Sequence, residues 1–297
     1  LVTAAVLNQE YQVASVPTVN TYTFTAKDTD GDAVTANSSD SGNGGGSVVG
    51  AYQINVGLDN TVLGTGWGAG TWARGAWNSA ASLTDVANIL RIWTHDNYGE
   101  DLIINVRDGG VYYWDKSAYA ATYSRAIALS AVSGADDAVP TIAKKVLVSD
   151  RDRHVLAFGC DPEDAIGTQD PLLIRFSHQE TVNTWESTST NTAGSLRIGS
   201  GSEIITAIET RQQIIVFTDV SLHSLQFLGP PFTYGIDLIS ENITVISPLA
   251  AKAADDLVFW MGVEDFYVYD GRVQKLPCAI KSYIFNDLNL FQKEKIF

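Results

Sequence analysis

The chain has 297 residues, 45% of them hydrophobic, and carries 19 lysines and arginines against 34 aspartates and glutamates, a formal net charge of −15 at pH 7. That length can bury a sizeable core, as one large all-β domain or two smaller ones. The charge argues against capture of nucleic acid by counterion release, which takes clustered lysine and arginine, and no apolar run nears the roughly 20 residues of a membrane span.

The opening LVTAAVLNQEYQV has neither an initiator methionine nor a basic stretch, so no signal peptide is expected. Residues 1–56 read as a small β-rich module. Glu10-Tyr11-Gln12-Val13 and Thr21-Tyr22-Thr23-Phe24-Thr25 alternate with period two and are rich in β-branched and aromatic residues. Asp28-Thr29-Asp30-Gly31-Asp32 invites a calcium loop, but the pattern needs Gly at 33 and Glu at 39, where the chain has Ala33 and Ser39; a solvated acidic turn is expected instead. Residues 35–47 are rich in Ser, Gly, Asn and Asp and read as a long surface loop.

Residues 57–88 read as a Gly/Trp-rich connecting segment. Trp67, Trp72 and Trp77 recur every fifth residue among Gly and Ala, a spacing that fits neither a helix stripe nor strand alternation. It predicts an extended segment that lays large rings on a surface. Packing within the subunit, a subunit contact and a sugar-stacking platform all remain open. Ser82-Leu83-Thr84-Asp85 is a candidate helix start.

From residue 89 a hairpin recurs. Asp101 to Val106 leads through Arg107-Asp108-Gly109-Gly110 into Val111 to Asp115, a Gly-Gly hairpin signal. The shape returns from Gln213 to Phe217 and Leu222 to Phe227, again from Asp256 to Trp260 and Phe266 to Gly271, and more weakly from His154. The copies start at Leu102, Val155, Ile214 and Leu257, at spacings of 53, 59 and 43 residues. Propeller blades run roughly 40–50 residues, each a four-stranded meander. Extra strands at residues 145–149 and 203–209 stand where inner or outer blade strands belong. The expectation is an all-β chain whose residues 89–297 form a degenerate β-propeller of four-stranded meander blades; a pair of β-sandwiches is the alternative. A short helix is expected at 282–289, and the last residues read as the start of a strand, so both ends look cut.

The sequence carries no motif that marks a catalytic site. Ser177 to Trp185 is similar to the Ser-to-Trp turn of sialidase-type propellers, but the turn's Asp and Gly are missing, and that turn is structural. No pair of acids is singled out for glycoside hydrolysis, and there is no G-x-S-x-G elbow, P-loop or dinucleotide fingerprint. His95, His154, His178 and His223 are scattered and are expected in turns or at the surface. Cys160 and Cys278 lack CxxC partners and are expected to be buried small hydrophobes. No catalytic residue, metal site or cofactor is expected.

Several blocks, taken together and in order over about residues 50–297, resemble the nozzle or hub proteins of short-tailed bacteriophages, the packaged-DNA stabilisation family. They are Tyr52-Gln53-Ile54-Asn55-Val56-Gly57 with the Gly-Trp segment, Trp93 to Leu102, Phe176-Ser177-His178-Gln179 with Trp185, Phe227 to Gly235, and Phe259-Trp260-Met261-Gly262 through Val273 with Leu276-Pro277-Cys278. The resemblance implies a structural virion protein at the distal end of the tail, not an enzyme. It implies a ring of six identical subunits that seats on adaptor and portal proteins, touches fibres or spikes, and retains and then ejects genomic DNA. It also implies further strands after the position of Phe297. Acidic side chains along such a lumen would let DNA slide without binding, and Trp67, Trp72 and Trp77 could anchor lateral subunit contacts. The alternative is a receptor-binding or glycan-degrading propeller of a phage tail, with a cellular propeller scaffold as a weaker third reading.

Overall fold

The structure, a computed structural model, describes residues 4–7, 11, 13–18, 21–28, 32–35, 91–118, 126–229 and 232–297. The chain divides into two compact units, Leu1–Ile54 and Asn55–Phe297. The Gly/Trp segment, the candidate helix start at Ser82 and the loop at 36–47 lie outside the described residues.

The first unit contains a short helix α1 (Ala4–Leu7) and an antiparallel pair, β1 (Val13–Thr18) and β2 (Thr21–Phe24). The first strand starts where the predicted one ended. Hydroxyl pairs across the ladder, Ser15 with Thr23 at 2.6 Å and Thr18 with Thr21 at 2.8 Å, hold the later register, while Tyr11 stacks on Phe24 at 4.6 Å. Asp28 accepts the Asp32 N–H at 2.9 Å and donates its own N–H to the Asp32 carbonyl.

The described residues of the second unit form a propeller-like array of four antiparallel meanders. Blade 1 contains β3 (Trp93–Tyr98), β4 (Asp101–Val106), β5 (Val111–Trp114) and β6 (Ile127–Ala128). Blade 2 contains β7 (Lys145–Val148), β8 (Val155–Phe158), β9 (Leu173–Phe176) and β10 (Gly194–Arg197). Blade 3 contains β11 (Ile204–Glu209), β12 (Ile214–Thr218), β13 (Ser221–Gly229) and β14 (Thr233–Glu241). Blade 4 contains β15 (Ala251–Ala254), β16 (Leu257–Met261), β17 (Phe266–Tyr269) and β18 (Val273–Lys275). Within each blade every strand pairs with the next in sequence, and the first strands neighbour one another from blade to blade: β7 lies beside β3 and β4, β11 beside β7 and β8, and β15 beside β11.

The second strand of each blade explains the packing. Side chains alternate between the two faces of a strand, so a strand sandwiched between two neighbouring blades must be apolar at every position. The strands β8 and β12 are buried throughout. In β8, Val155 and Ala157 join the core shared with blade 1, and Leu156 and Phe158 the core shared with blade 3. In β12, Ile214 and Val216 face blade 2, and Ile215 and Phe217 face blade 4. By contrast β16 alternates: Val258 and Trp260 enter the core shared with blade 3, while Leu257 and Phe259 are 39% and 38% exposed. Blade 1 has the same asymmetry, with Ile103 fully buried and Leu102, Ile104 and Val106 only half-buried. Among the described residues the four blades thus share three cores, and blades 1 and 4 each keep one face out of them.

Two expectations need correction at the chain's last elements and in a turn. The predicted helix is α2 (Lys281–Asn286), but Leu290–Lys295 forms a 3-10 helix, not a strand; the Lys-Glu-Lys sequence offers no apolar alternation for a ladder, and Ile296 N–H closes the turn onto the Lys293 carbonyl at 3.1 Å. In the hairpin after β4 the left-handed residue is Asp108, φ 55°, and neither Gly109 nor Gly110. A Cβ on Gly110 would come within 2.7 Å of the Tyr112 hydroxyl, so glycine serves close approach there.

Candidate functional site

The first strands gather charge where the blades meet. At the end where these strands begin, Lys144 is buried and its ammonium lies 2.8 Å from both Asp108 and Glu203. Arg107 donates to the Ile205 carbonyl at 2.7 Å, and Lys145 to Thr206 at 3.2 Å. Burial, with the charges of Lys252 and Arg107 adding, lowers the Lys145 pKa to about 8. Towards the other end, Asp96 accepts the Val148 N–H at 2.9 Å and Glu209 accepts the Asp150 N–H at 3.0 Å. Burial lifts the Glu209 pKa to about 7; the Asp150 N–H opposes this, and the charges of Asp150 and Asp96 add to it. These groups tie blades 1, 2 and 3 together through strand starts and ends that sequence reasoning did not single out. Charged residues beside predicted inner strands were the available signal.

Two histidines depart from their expected exposure. His154 is fully buried, bonded to Thr192 at 3.1 Å, and burial with the nearby His178 pushes its pKa down to about 4. It sits among Phe176, Phe227 and Tyr234, which explains why an imidazole opening a weakly signalled strand is carried inside. His223 is also buried; its Nε2 meets Ser221 at 2.9 Å and Ser200 at 3.1 Å, and burial lowers its pKa. No carboxylate bonds His223 among the described residues, so this Ser–His contact lacks the group that orients a catalytic imidazole. His95 is exposed and His178 half-buried.

The turn from Ser177 to Trp185 lies between β9 and β10. Ser177 accepts the Val155 N–H at 3.0 Å, and Trp185 is buried with its indole N–H on the Val182 carbonyl at 2.9 Å. Asp136 supplies the carboxylate that the turn itself lacks, accepting the N–H groups of Trp185 and Glu186 at 2.6 and 2.8 Å. Buried Arg175 lies over the Trp185 ring and donates to backbone carbonyls, including that of Asp161 at 3.2 Å. Asp136, Asp137, Glu163 and Glu186 line a polar cleft of about 470 Å³, where a glycan reading would look for paired acids. There Asp136 is engaged with the turn, and Glu163 accepts the Ser187 N–H at 3.2 Å.

Cys160 is buried, and burial raises its thiol pKa to about 12. Cys278 is only half-buried, contrary to expectation, because it lines an apolar opening of blade 4. That opening, about 590 Å³, runs along blade 4 past Phe259, Met261, Phe266, Tyr267 and Pro277, with Lys252 its charged side chain. A second cleft of about 350 Å³ is lined by Arg91–Trp93, at the start of blade 1, and by Leu249, Glu294, Lys295 and Phe297. Trp67, Trp72 and Trp77, expected as subunit-interface aromatics, lie outside the described residues.

These features define an all-β, degenerate β-propeller protein whose blade 4 presents an apolar cleft. No family model matches the chain, and no curated protein matches it. Solved structures similar to it include the extracellular domain of a candidate one-component system from B. thetaiotaomicron, at 13% identity and TM-score 0.40 over 68% of this chain and 23% of that one. Another is Hsv2 from Kluyvelomyces marxianus, at 10% identity and TM-score 0.34 over 62% of this chain and 48% of that one. The chain spans less than half the length of either.

Proposed function

We propose that this chain is a structural subunit of a short-tailed phage tail, a nozzle or hub protein that forms a ring at the distal end of the tail and guides genomic DNA out of the virion. The observation that carries the reading is that, among the described residues, β16 keeps Leu257 and Phe259 exposed and Phe259 lines an apolar cleft. An exposed apolar face rimmed by polar residues is characteristic of a surface that becomes buried on association. The sequence blocks that resemble the nozzle family supply the phage context, and the excess of 15 negative charges suits a lumen through which phosphate must pass without sticking. On this reading six copies close into a ring against adaptor and portal proteins, with fibres or spikes attached, and no residue of the chain is catalytic.

Native mass spectrometry and electron micrographs of the purified protein test it. Closed rings are expected. A monomer at every concentration that cleaves capsular polysaccharide would replace this reading with the glycan-degrading one. In assembled virions, replacing lumen acids by lysine is expected to slow genome ejection, and unchanged rates would count against the acidic channel.

A further inference from the structure

Thr192 ties down the loop that leads into β10, an edge strand of blade 2 that pairs, among the described strands, only with β9. Four polar contacts meet at it. Its N–H donates to His178 Nδ1 at 3.1 Å, and its hydroxyl accepts the Gln179 N–H at 2.9 Å, lying 3.0 Å from the same Nδ1 and 3.1 Å from His154 Nε2. A ring nitrogen that accepts an N–H carries no proton, so this geometry fixes neutral His178 as the Nε2–H tautomer. Few other hydrogen bonds hold the segment among the described residues. Residues 186–190 are exposed; the Ser187 N–H reaches Glu163 at 3.2 Å, and the Thr188–Asn191 and Asn191–Glu186 bonds stay within the loop. Just past Thr192, a Cβ on Gly194 would stand 2.9 Å from Phe176 Cζ, so the start of β10 lies directly on the Phe176 ring, which in turn faces the His154 ring at 6.3 Å.

We infer that His178, Thr192 and His154 form an acid-released latch: when the imidazoles take up protons, residues 187–193 come free and β10 frays from the edge of blade 2. Protonated His178 carries a hydrogen on Nδ1 and meets the Thr192 N–H donor to donor, which leaves that N–H without its acceptor. The hydroxyl cannot absorb the change, because its two lone pairs cannot serve the Gln179 N–H and two imidazolium N–H groups together. Nor does a counter-charge await the imidazolium. The charged and titratable side chains on the surrounding elements are Arg151, Asp152 and Arg153 of the turn before β8, Glu180 of the turn after β9, Glu186 of the loop itself and Tyr234 of β14. None of these side chains bonds either ring among the described residues, and Arg153 lies over Tyr98 of β3 instead. The two protonations reinforce each other. Burial, with His178 adding, holds the His154 pKa at about 4 while the latch is closed. Fraying of β10 uncovers Phe176 and lets water reach His154, which then charges more readily and keeps the loop from closing. The latch acts within one chain and does not depend on the ring reading.

Hydrogen exchange of the full chain, read by mass spectrometry at pH 7.5 and pH 5 and corrected for the intrinsic effect of pH on exchange, tests the latch. Protection of residues 187–197 should fall at pH 5 by about tenfold or more, the loss expected when a hydrogen bond and its neighbours open, and should then lie well below that of β8 and β12. His178→Asn presents an amide oxygen to the Thr192 N–H and does not titrate, so its segment should stay protected at both pH values. Thr192→Val removes the hydroxyl and should leave the segment open at both. Equal protection of residues 187–197 in the parent at the two pH values, or a pH effect of the same size in either variant, would overturn the latch. So would protection at pH 5 equal to that of β8 and β12, because the segment would then open only with the whole fold.

Discussion

The Lys144 ammonium lies 2.8 Å from Glu203, and the same nitrogen lies 2.8 Å from Asp108, so one buried cation joins the blade-1 hairpin, the start of blade 2 and the start of blade 3. The path of its side chain is held open by Gly159, φ 58°, where a Cβ would stand 2.8 Å from Lys144 Cδ. Both carboxylates are more than a third exposed, so each remains hydrated when its partner is lost. The ammonium does not. Asp108→Asn with Glu203→Gln should therefore cost more, about 2–3 kcal/mol, than Lys144→Met, which removes the buried charge itself and should cost about 1 kcal/mol or less. Urea unfolding of both variants checks the order; the reverse order would mean that pairing does not hold the cation in place.

His154 makes stability depend on acid. Its pKa is about 4 in the folded protein against an unperturbed 6.5, so the unfolded chain takes up a proton first as the pH falls. The stability tied to neutral His154 is complete above pH 6.5 and is lost progressively from there towards pH 4, by an amount on the order of 3 kcal/mol. His154→Gln can still reach Thr192 and does not titrate. Urea midpoints at pH 7 and pH 5 should differ clearly less in the variant than in the parent protein, and equal differences would remove His154 as the cause.

Glu209 acts in the opposite direction. Its folded pKa of about 7 lies above the unperturbed 4.5, so folding favours the protonated carboxyl. That contribution is complete below pH 4.5 and is lost as the pH rises through 7. Glu209→Gln keeps an acceptor for the Asp150 N–H and removes the charge that burial, Asp150 and Asp96 disfavour. The variant should be more stable than the parent at pH 8, by roughly 1–3 kcal/mol, and should lose that advantage at pH 4. Thermal midpoints at the two pH values measure the difference, and a variant equally affected at both would point to packing instead of titration.

The sequence makes the blades legible because their second and third strands are apolar and joined by short turns. The hairpins predicted near Leu102, Ile214 and Leu257 are β4–β5, β12–β13 and β16–β17, and the added strands at 145–149 and 203–209 are β7 and β11, the first strands of blades 2 and 3. Even the weaker signal at His154 marks β8. What pattern alone does not carry is the register of long-range pairs. Lys144 is 36 residues from Asp108 and 59 from Glu203, and nothing local marks the three as partners. The burial of His154 depends on Phe227 and Tyr234 from the neighbouring blade, and the 3-10 turn at Leu290–Lys295 has too short a period for either template. Nor does local pattern show that β16 has a free face, since its Leu-Val-Phe-Trp-Met run reads as apolar as the buried β12.

That free face gives a direct test of the three-core arrangement. Phe158 of β8 and Phe259 of β16 both lie on the strand face turned away from the core shared with the preceding blade, yet Phe158 is fully buried between blades 2 and 3 while Phe259 is 38% exposed. Truncating Phe158 to alanine removes a packed ring and leaves a cavity, for an expected loss of about 3–5 kcal/mol. Phe259→Ala removes a ring that still touches water and should cost about 1 kcal/mol or less in a dilute, monomeric sample. Raising the protein concentration discriminates further: if blade 4 is covered by another copy, the Phe259 variant should fall behind the parent only where the parent assembles, whereas the Phe158 variant should be weaker at every concentration. Equal, concentration-independent losses at the two sites would mean that the β16 face is already packed within one chain.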